Sequence, residues 1–316
     1  MYPNFIRDYI YMKYKMNKKN FKYLFLVVIW TFTGLTYSQV PGNEPVLQTK
    51  VYKTIGLKRL KLHIYQPSER NDMEKLPAIV FFHGGGFYER PVWQFKAQCQ
   101  YLVEHGMVAI LASYRTNNRL FDCIADSKSA IRWVRMHAVE FGIDENRIAA
   151  GGGSAGGYLA ACTGLVKGFD EKNEDLSISS VPNALVLFNP PLDLPAHLSD
   201  TTKRLERSTH HAKKLVRCLK GRAIEISPFH YIAKGAAPTI IFQGTADKSV
   251  DFHQATRFCE EMKKYGNNCE VVLYEGRDHG FFFKSYGDED FTSTMEHTVK
   301  FLTSLGYIKG DTTINK

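Results

Sequence analysis

The first things to note are what the chain does not contain. Among its 316 residues no uncharged apolar run reaches the roughly 20 that a membrane-spanning helix needs; Tyr23–Thr36 stops at 14. Its six cysteines (Cys99, Cys123, Cys162, Cys218, Cys259 and Cys269) form no CxxC pair, so no zinc ribbon or dithiol motif is spelled out. No repeat of solenoid or propeller period is present. No glycine-rich stretch continues into G-K-[ST], so a phosphate-cradling P-loop is excluded. With 44% hydrophobic, 23% charged and 13% aromatic residues, disordered, collagen-like and multi-span membrane chains are excluded as well. A length of 316 residues allows one large α/β domain or two small ones.

The formal charge of +9 at first suggests a nucleic-acid partner. Much of the excess sits in residues 1–38, where Arg7, Lys13, Lys15, Lys18, Lys19 and Lys22 face one acid, Asp8. The remainder is only +4, and no nucleic-acid-binding motif accompanies it. Lys18, Lys19 and Lys22 precede the apolar run Tyr23–Thr36, and the small residues Thr36 and Ser38 stand at −3 and −1 of a cut before Gln39. A basic stretch, a short apolar run and a small-residue cleavage site describe a secretory signal peptide. The expectation is a leader over 1–38, with Met16 as an alternative start, and a periplasmic or secreted domain over 39–316. An uncleaved anchor is the second reading. Export would permit disulfides. Cys259 and Cys269, ten residues apart, are the candidate bridge, with buried free thiols as the alternative.

From Leu76 onward, apolar runs of strand length alternate with helical patterns. Strands are expected over Pro77–His83, Met107–Tyr114, Arg147–Gly152, Ala184–Asn189, Thr239–Gly244 and Cys269–Gly276. Helices are expected over Gln94–His105, Asp122–Phe141, Ser154–Val166, Phe252–Tyr265 and Ser293–Leu305. Near-continuous apolar strands separated by helices imply an α/β fold, with a mostly parallel sheet covered on both faces. Val51–Tyr65 reads as an antiparallel hairpin at the sheet edge. Gly168–Ser180 is polar and reads as a surface loop. Residues 190–237 separate two strands by far more than the usual link, which marks a lid or pocket wall before the strand that precedes the catalytic acid.

Three constellations stand at strand ends. Gly152-Gly153-Ser154-Ala155-Gly156 is a G-x-S-x-G between a strand and a helix, the context that puts a serine on a sharp nucleophile elbow. His83-Gly84-Gly85-Gly86-Phe87 follows the first buried strand. Its glycines allow close backbone approach, and the N–H groups of Gly85 and Gly86, with that of Ala155, are the expected oxyanion donors. His83 is read as positioning this loop. Asp247, in GTADKSV, and His279, in GRDHGFF, follow the last two strands. A serine hydroxyl needs a histidine to take its proton, and the histidine needs a carboxylate to fix its tautomer. The order Ser154, Asp247, His279 is the order this architecture uses. Asp278, adjacent to His279, and Asp251, a helix N-cap, are read as decoys. Phe87 and Tyr88, followed by Glu89 and Arg90, and Asn189 at a strand end are candidate substrate contacts. No metal or cofactor is expected.

These motifs carry a resemblance. HGGGF, GGGSAGG, GTADKSV and DHGFF, in this order between Val51 and Leu305, resemble the α/β-hydrolases. Within them the chain is similar to hormone-sensitive-lipase-like carboxylesterases and acetylesterases. The resemblance implies Ser154 as nucleophile, His279 as base, Asp247 as its partner and the HGGG loop as oxyanion hole. It also shows departures. Gly153 stands where the family usually has an acid, which alters pocket polarity. Ser113-Tyr114-Arg115-Thr116-Asn117-Asn118 stands where it often has D-Y-R-L-A-P. Once a leader over 1–38 is removed, only some dozen residues precede Val51, too few for a two-helix cap, so the chain looks closer to exported acetylesterases acting on polysaccharides.

Lys203–Arg222 holds eight basic residues against Glu206. It reads as a solvated helix face, or as an anion-attracting flap near the pocket. His210 and His211 lack further ligands that would make a metal site. The expected activity is hydrolysis of short acyl esters, an acetylated carbohydrate first. The alternatives are a lipase-like esterase for longer chains, a prolyl-oligopeptidase-like peptidase, and a catalytically silent binding domain.

Overall fold

The computed structural model describes residues 45–69, 74–88, 90–116, 119–204 and 219–309. The expected leader, Glu89, Cys218, the adjacent His210 and His211, and most of the basic segment lie outside them.

Eight strands form one sheet in the order β1-β2-β4-β3-β5-β6-β7-β8. The hairpin β1 (Val46–Ile55) and β2 (Lys58–Gln66) is antiparallel and joins the sheet through an antiparallel pairing of β2 with β4 (Val108–Ala112). The rest is parallel: β4, β3 (Leu76–Phe82), β5 (Ile143–Gly153), β6 (Ala184–Phe188), β7 (Thr239–Gly244) and β8 (Cys269–Tyr274). β4, β6 and β7 are buried at every residue and β3 at all but its first, as an apolar strand between two helical layers must be. β1 mixes exposed and partly buried positions, as does β8 after its buried first residue, Cys269, in keeping with their places at the sheet edges.

One apolar layer packs α2 (Leu120–Met136), α3 (Ala155–Leu165) and α5 (His253–Lys264) on the face carrying Leu62, Val80, Phe82, Ile110 and Leu187. The other packs α1 (Lys96–Glu104) and α6 (Asp288–Ser304) on the face carrying Ile79, Phe81, Leu111, Phe188 and Phe242. In α3, AGGYLAACTGL, ten of eleven residues are buried. A helix that is apolar all round has to lie in the interior, and α3 does so directly behind the G-x-S-x-G turn.

The structure differs from expectation mainly at element ends. The hairpin begins at Val46, and α6 begins at Asp288 rather than Ser293. Its extra turn is acidic (Asp288, Glu289, Asp290), which suits the positive end of the helix dipole. The polar loop 168–180 is clamped rather than slack: Asp170 pairs with Lys128 at 3.3 Å and with Arg132 at 2.6 Å, and Glu174 pairs with Arg132. The long insertion leaves the sheet through buried Leu192 and Leu194 and opens with α4 (Leu194–Arg204). It returns through buried Ile226, whose carbonyl accepts a 2.7 Å bond from the Tyr158 hydroxyl of α3.

Cys259 and Cys269 are bridged, joining α5 to the start of β8 with Cα atoms 5.2 Å apart. Closing a loop of that length should contribute about 2–3 kcal/mol. Urea unfolding with and without reductant should show that difference, and the Cys259→Ser, Cys269→Ser variant should be insensitive to reductant. Cys99, Cys123 and Cys162 are unbridged and buried; burial pushes their thiols well above the ordinary range, so they are inert.

Candidate active site

The residues singled out from the sequence converge at the carboxyl ends of the parallel strands: His83–Gly86 after β3, Ser154 after β5, Asn189 after β6, Asp247 after β7 and His279 after β8. In sheets of this kind that edge is where ligands bind.

Ser154 has φ 55° and ψ −121°, a backbone state that costs a non-glycine residue about 1–3 kcal/mol. Its neighbours enforce it. Ser154 N–H donates to Phe188 O at 2.8 Å, and Tyr158 N–H donates to Ser154 O at 2.9 Å. The turn passes so close to β3 that a Cβ on Gly156 would lie 2.0 Å from Phe82 O, and one on Gly152 would lie 2.5 Å from the same atom. Gly156→Ala should therefore push the elbow off β3, costing about 3 kcal/mol of stability by overpacking. Its urea midpoint and its rate on p-nitrophenyl acetate should fall together.

Asp247 and His279 form the second part of the site. His279 Nδ1 lies 2.7 Å from Asp247 Oδ2; the carboxylate is wholly buried and the imidazole 28% exposed. Asp247 also accepts from Ser249 N–H at 2.7 Å, Val250 N–H at 3.0 Å and Gln243 Nε2 at 3.1 Å. Each of these partners is an N–H donor, so the carboxylate serves as acceptor throughout, toward His279 as well. The imidazole proton then sits on Nδ1, leaving Nε2 as the basic nitrogen. Asp278 faces elsewhere, its Oδ1 accepting from His279 N–H at 2.7 Å and from Lys248 N–H at 3.3 Å. Asp251 accepts from His253 N–H at 3.2 Å and pairs with its ring at 2.8 Å, at the start of α5.

The end of β6 ties the two parts together. Phe188 O holds Ser154 N–H, and Asn189 Nδ2 donates to His279 O at 2.5 Å. Asn189 Oδ1 also accepts from Gly244 N–H at 3.1 Å, at the end of β7. Asn189 is fully buried, so the expectation that it contacts substrate is corrected: its amide is consumed in holding the His279 turn. Phe87 is corrected likewise. At φ 66° it turns inward, is 4% exposed and meets Tyr158 edge-on at 5.5 Å. Tyr88 remains half-buried at the surface.

The HGGG loop lies against the elbow. A Cβ on Gly84 would stand 2.8 Å from Gly153 O and 3.4 Å from Ser154 Cβ. Gly84 N–H donates to Gln94 Oε1 at 2.6 Å, so it is not an oxyanion donor. Gly85 and Gly86, at φ 112° and 63°, find no backbone acceptor for their N–H groups among the described residues. His83 positions the loop: its Nδ1 lies 2.8 Å from Gly84 O, and its ring stacks on Tyr114 at 4.3 Å. Tyr114 in turn donates to His83 O at 2.7 Å.

Gln94, Gln243 and the bracing role of Asn189 carried no sequence signal, since each acts through side-chain bonds that no local pattern marks. Gly153 has a packing explanation. A Cβ there would lie 2.7 Å from Phe282 Cζ and 3.2 Å from Phe95 Cζ, so aromatic rings occupy the space that an acid would fill. Among the described residues no group of His, Cys, Asp and Glu could hold a metal, and no helix is long and apolar enough to cross a membrane.

Comparison with known proteins agrees with this geometry. Residues 62–262 match the BD-FAE family model, and residues 223–306 match the dienelactone hydrolase family. Thermogutta terrifontis esterase 2, in its form phosphonylated by sarin, superposes with a TM-score of 0.77 at 42% identity, covering 86% of this chain and 99% of that one. The isoprenylcysteine alpha-carbonyl methylesterase ICME of Arabidopsis thaliana is 26% identical over 245 residues, covering 71% of this chain and 55% of that protein. Esterase LipC of Mycobacterium tuberculosis is 28% identical over 231 residues, 67% of this chain and 55% of that protein. The chain thus spans about half the length of the curated relatives it matches. Fold and site define an α/β-hydrolase of the carboxylesterase class. Within that class, the chain belongs to the BD-FAE family.

Proposed function

We propose that the protein is an exported serine carboxylesterase that removes short acyl groups, acetyl on a carbohydrate first among them. The observation that carries the reading is the buried Asp247–His279 pair at 2.7 Å, held by Asn189 beside a strained Ser154. In the proposed cycle His279 Nε2 takes the Ser154 proton as Oγ attacks the ester carbonyl. The N–H groups of Gly85, Gly86 and Ala155 receive the developing oxyanion, a role in which one donor is worth roughly 3–4 kcal/mol. The imidazolium, stabilised by Asp247, protonates the departing alcohol. Water, deprotonated by His279, then releases the acid and restores Ser154.

The short-acyl reading is supported by a relative: Thermogutta terrifontis esterase 2 has been solved with propionate and with butyrate bound. Export is supported by the Cys259–Cys269 bridge, since structural disulfides persist in oxidising compartments. The carbohydrate alcohol rests on the likeness to acetylesterases alone. Hydrolysis of p-nitrophenyl acetate, butyrate and octanoate tests the acyl half. We expect kcat/KM on octanoate to be at least tenfold below that on acetate or butyrate. A rate rising toward octanoate would replace the short-acyl reading with a lipase-like one. Cleavage of dipeptidyl anilides with no ester turnover would favour a peptidase.

A further inference from the structure

Beside the oxyanion loop is a second concavity that the ester chemistry does not use. It has a volume of about 280 Å³ and lies where β2 pairs with β4, next to the edge strand β1. Lys58, Arg59 and Lys61 of β2 line it together with Arg90, and among the described residues no acidic one does. None of these four pairs with a carboxylate among the described residues. All four are exposed, whereas the largely buried Lys53 and Arg115 each lie 2.8 Å from Asp126. Thr116 lines the same pocket. Its hydroxyl is buried and has no hydrogen-bond partner among the described residues. A buried hydroxyl left unbonded is costly, and like charges gathered around one hollow repel each other. One oxyanion in the hollow would satisfy both. His63, also in the wall, is held below its ordinary pKa by burial and by the charge of Lys61, as expected in an uncompensated positive field.

The pocket adjoins the catalytic loop. His83 of the HGGG motif forms part of its wall, and the Arg90 side chain lies against Gly85, where a Cβ would come within 2.3 Å of Arg90 Cγ. We infer that this hollow is an anion subsite that takes a carboxylate or sulfate carried on the substrate, away from the ester bond that Ser154 attacks. The inference rests on the esterase reading and narrows it to acidic glycan esters, because the volume admits such a group with part of the ring that bears it. Arg90 would then hold the anion with its guanidinium while its stem steadies Gly85.

The test compares acetylated methyl glucuronoside with acetylated methyl glucoside, which differ at the charged group. The wild-type protein should prefer the glucuronoside by about tenfold in kcat/KM, as charge-assisted hydrogen bonds warrant. The preference should fade as salt is raised. Lys61→Met should bring the ratio toward one, whereas Lys61→Arg should keep it. The Lys61 side chain is exposed, and its backbone N–H and C=O bond to Ser113 whatever the side chain, so folding should survive either change. Inorganic sulfate, followed through Trp93, whose ring lies 4.2 Å from that of His63, distinguishes a free anion from a substrate-borne one. Sulfate should bind the wild type saturably and compete with the glucuronoside but not with p-nitrophenyl acetate. A glucuronoside-to-glucoside ratio of one in an enzyme active on p-nitrophenyl acetate overturns the subsite and leaves the esterase reading intact. Saturable sulfate binding with that same ratio of one overturns the substrate assignment in favour of a free-anion site. Loss of all Ser154-dependent ester turnover overturns both.

Discussion

Ser154→Ala should lower ester turnover by about 10⁵-fold while leaving the fold in place. The backbone strain at this position is imposed by bonds that do not involve the side chain: Ser154 N–H to Phe188 O, and Tyr158 N–H to Ser154 O. Alanine would therefore occupy the same elbow, and the urea midpoint should move little. The Asp247–His279 pair, the HGGG loop and the β6 brace would all remain, so what is lost is the nucleophile alone. Covalent labelling provides an independent readout. Thermogutta terrifontis esterase 2 is phosphorylated by paraoxon. The wild-type protein treated with paraoxon should gain one diethylphosphoryl group on the peptide containing Ser154, and Ser154→Ala should gain none. Ester turnover within a hundredfold of wild type in the variant, or labelling elsewhere, would show that the reaction does not run through this serine.

The parts of the site that could be read from sequence are those the chain writes locally. A strand must end and a helix begin around Ser154, and glycines are required where β3 comes within contact distance. Both leave a mark in a short window. The parallel strands were legible for the same reason, since burial on both faces makes them apolar without interruption. Asn189 and Phe87 misled because position at a strand end does not give side-chain direction. Asn189 is held by two bonds to chain segments 55 and 90 residues away, and Phe87 turns into the core at a positive φ. Loop 168–180 reads as a polar surface loop, and its sequence does not show that Asp170 and Glu174 are the counter-charges of Lys128 and Arg132 on α2. Charge illustrates the same limit. The contiguous basic run 203–222 draws the eye in the sequence. The cationic hollow, in contrast, is assembled from Lys58, Arg59 and Lys61 of β2 and from Arg90 some thirty positions later, beside the segment that follows β4.

Asp247→Asn should reduce kcat by about 10⁴-fold, the size of effect expected when a triad histidine is held in the wrong tautomer. The native carboxylate accepts bonds on every side: His279 Nδ1, Gln243 Nε2, Ser249 N–H and Val250 N–H. An asparagine keeps one oxygen, and the two backbone donors at Oδ1 fix where it must lie. Its amide NH₂ would then face His279 Nδ1 and Gln243 Nε2. The imidazole could meet it only by turning Nδ1 into an acceptor, which moves the ring proton to Nε2 and removes the base that Ser154 needs. No charge would remain to stabilise the imidazolium. Because Asn189 still grips His279 O, the backbone of this turn stays in place. Asp278 is already bonded to backbone donors at Lys248 and His279. The ¹⁵N chemical shifts of His279 should report the proton on Nδ1 in the wild type and on Nε2 in the variant. Loss of activity without that exchange would place the effect of Asp247 in folding of the loop rather than in catalysis. A variant within tenfold of wild type would show that His279 does not depend on this carboxylate.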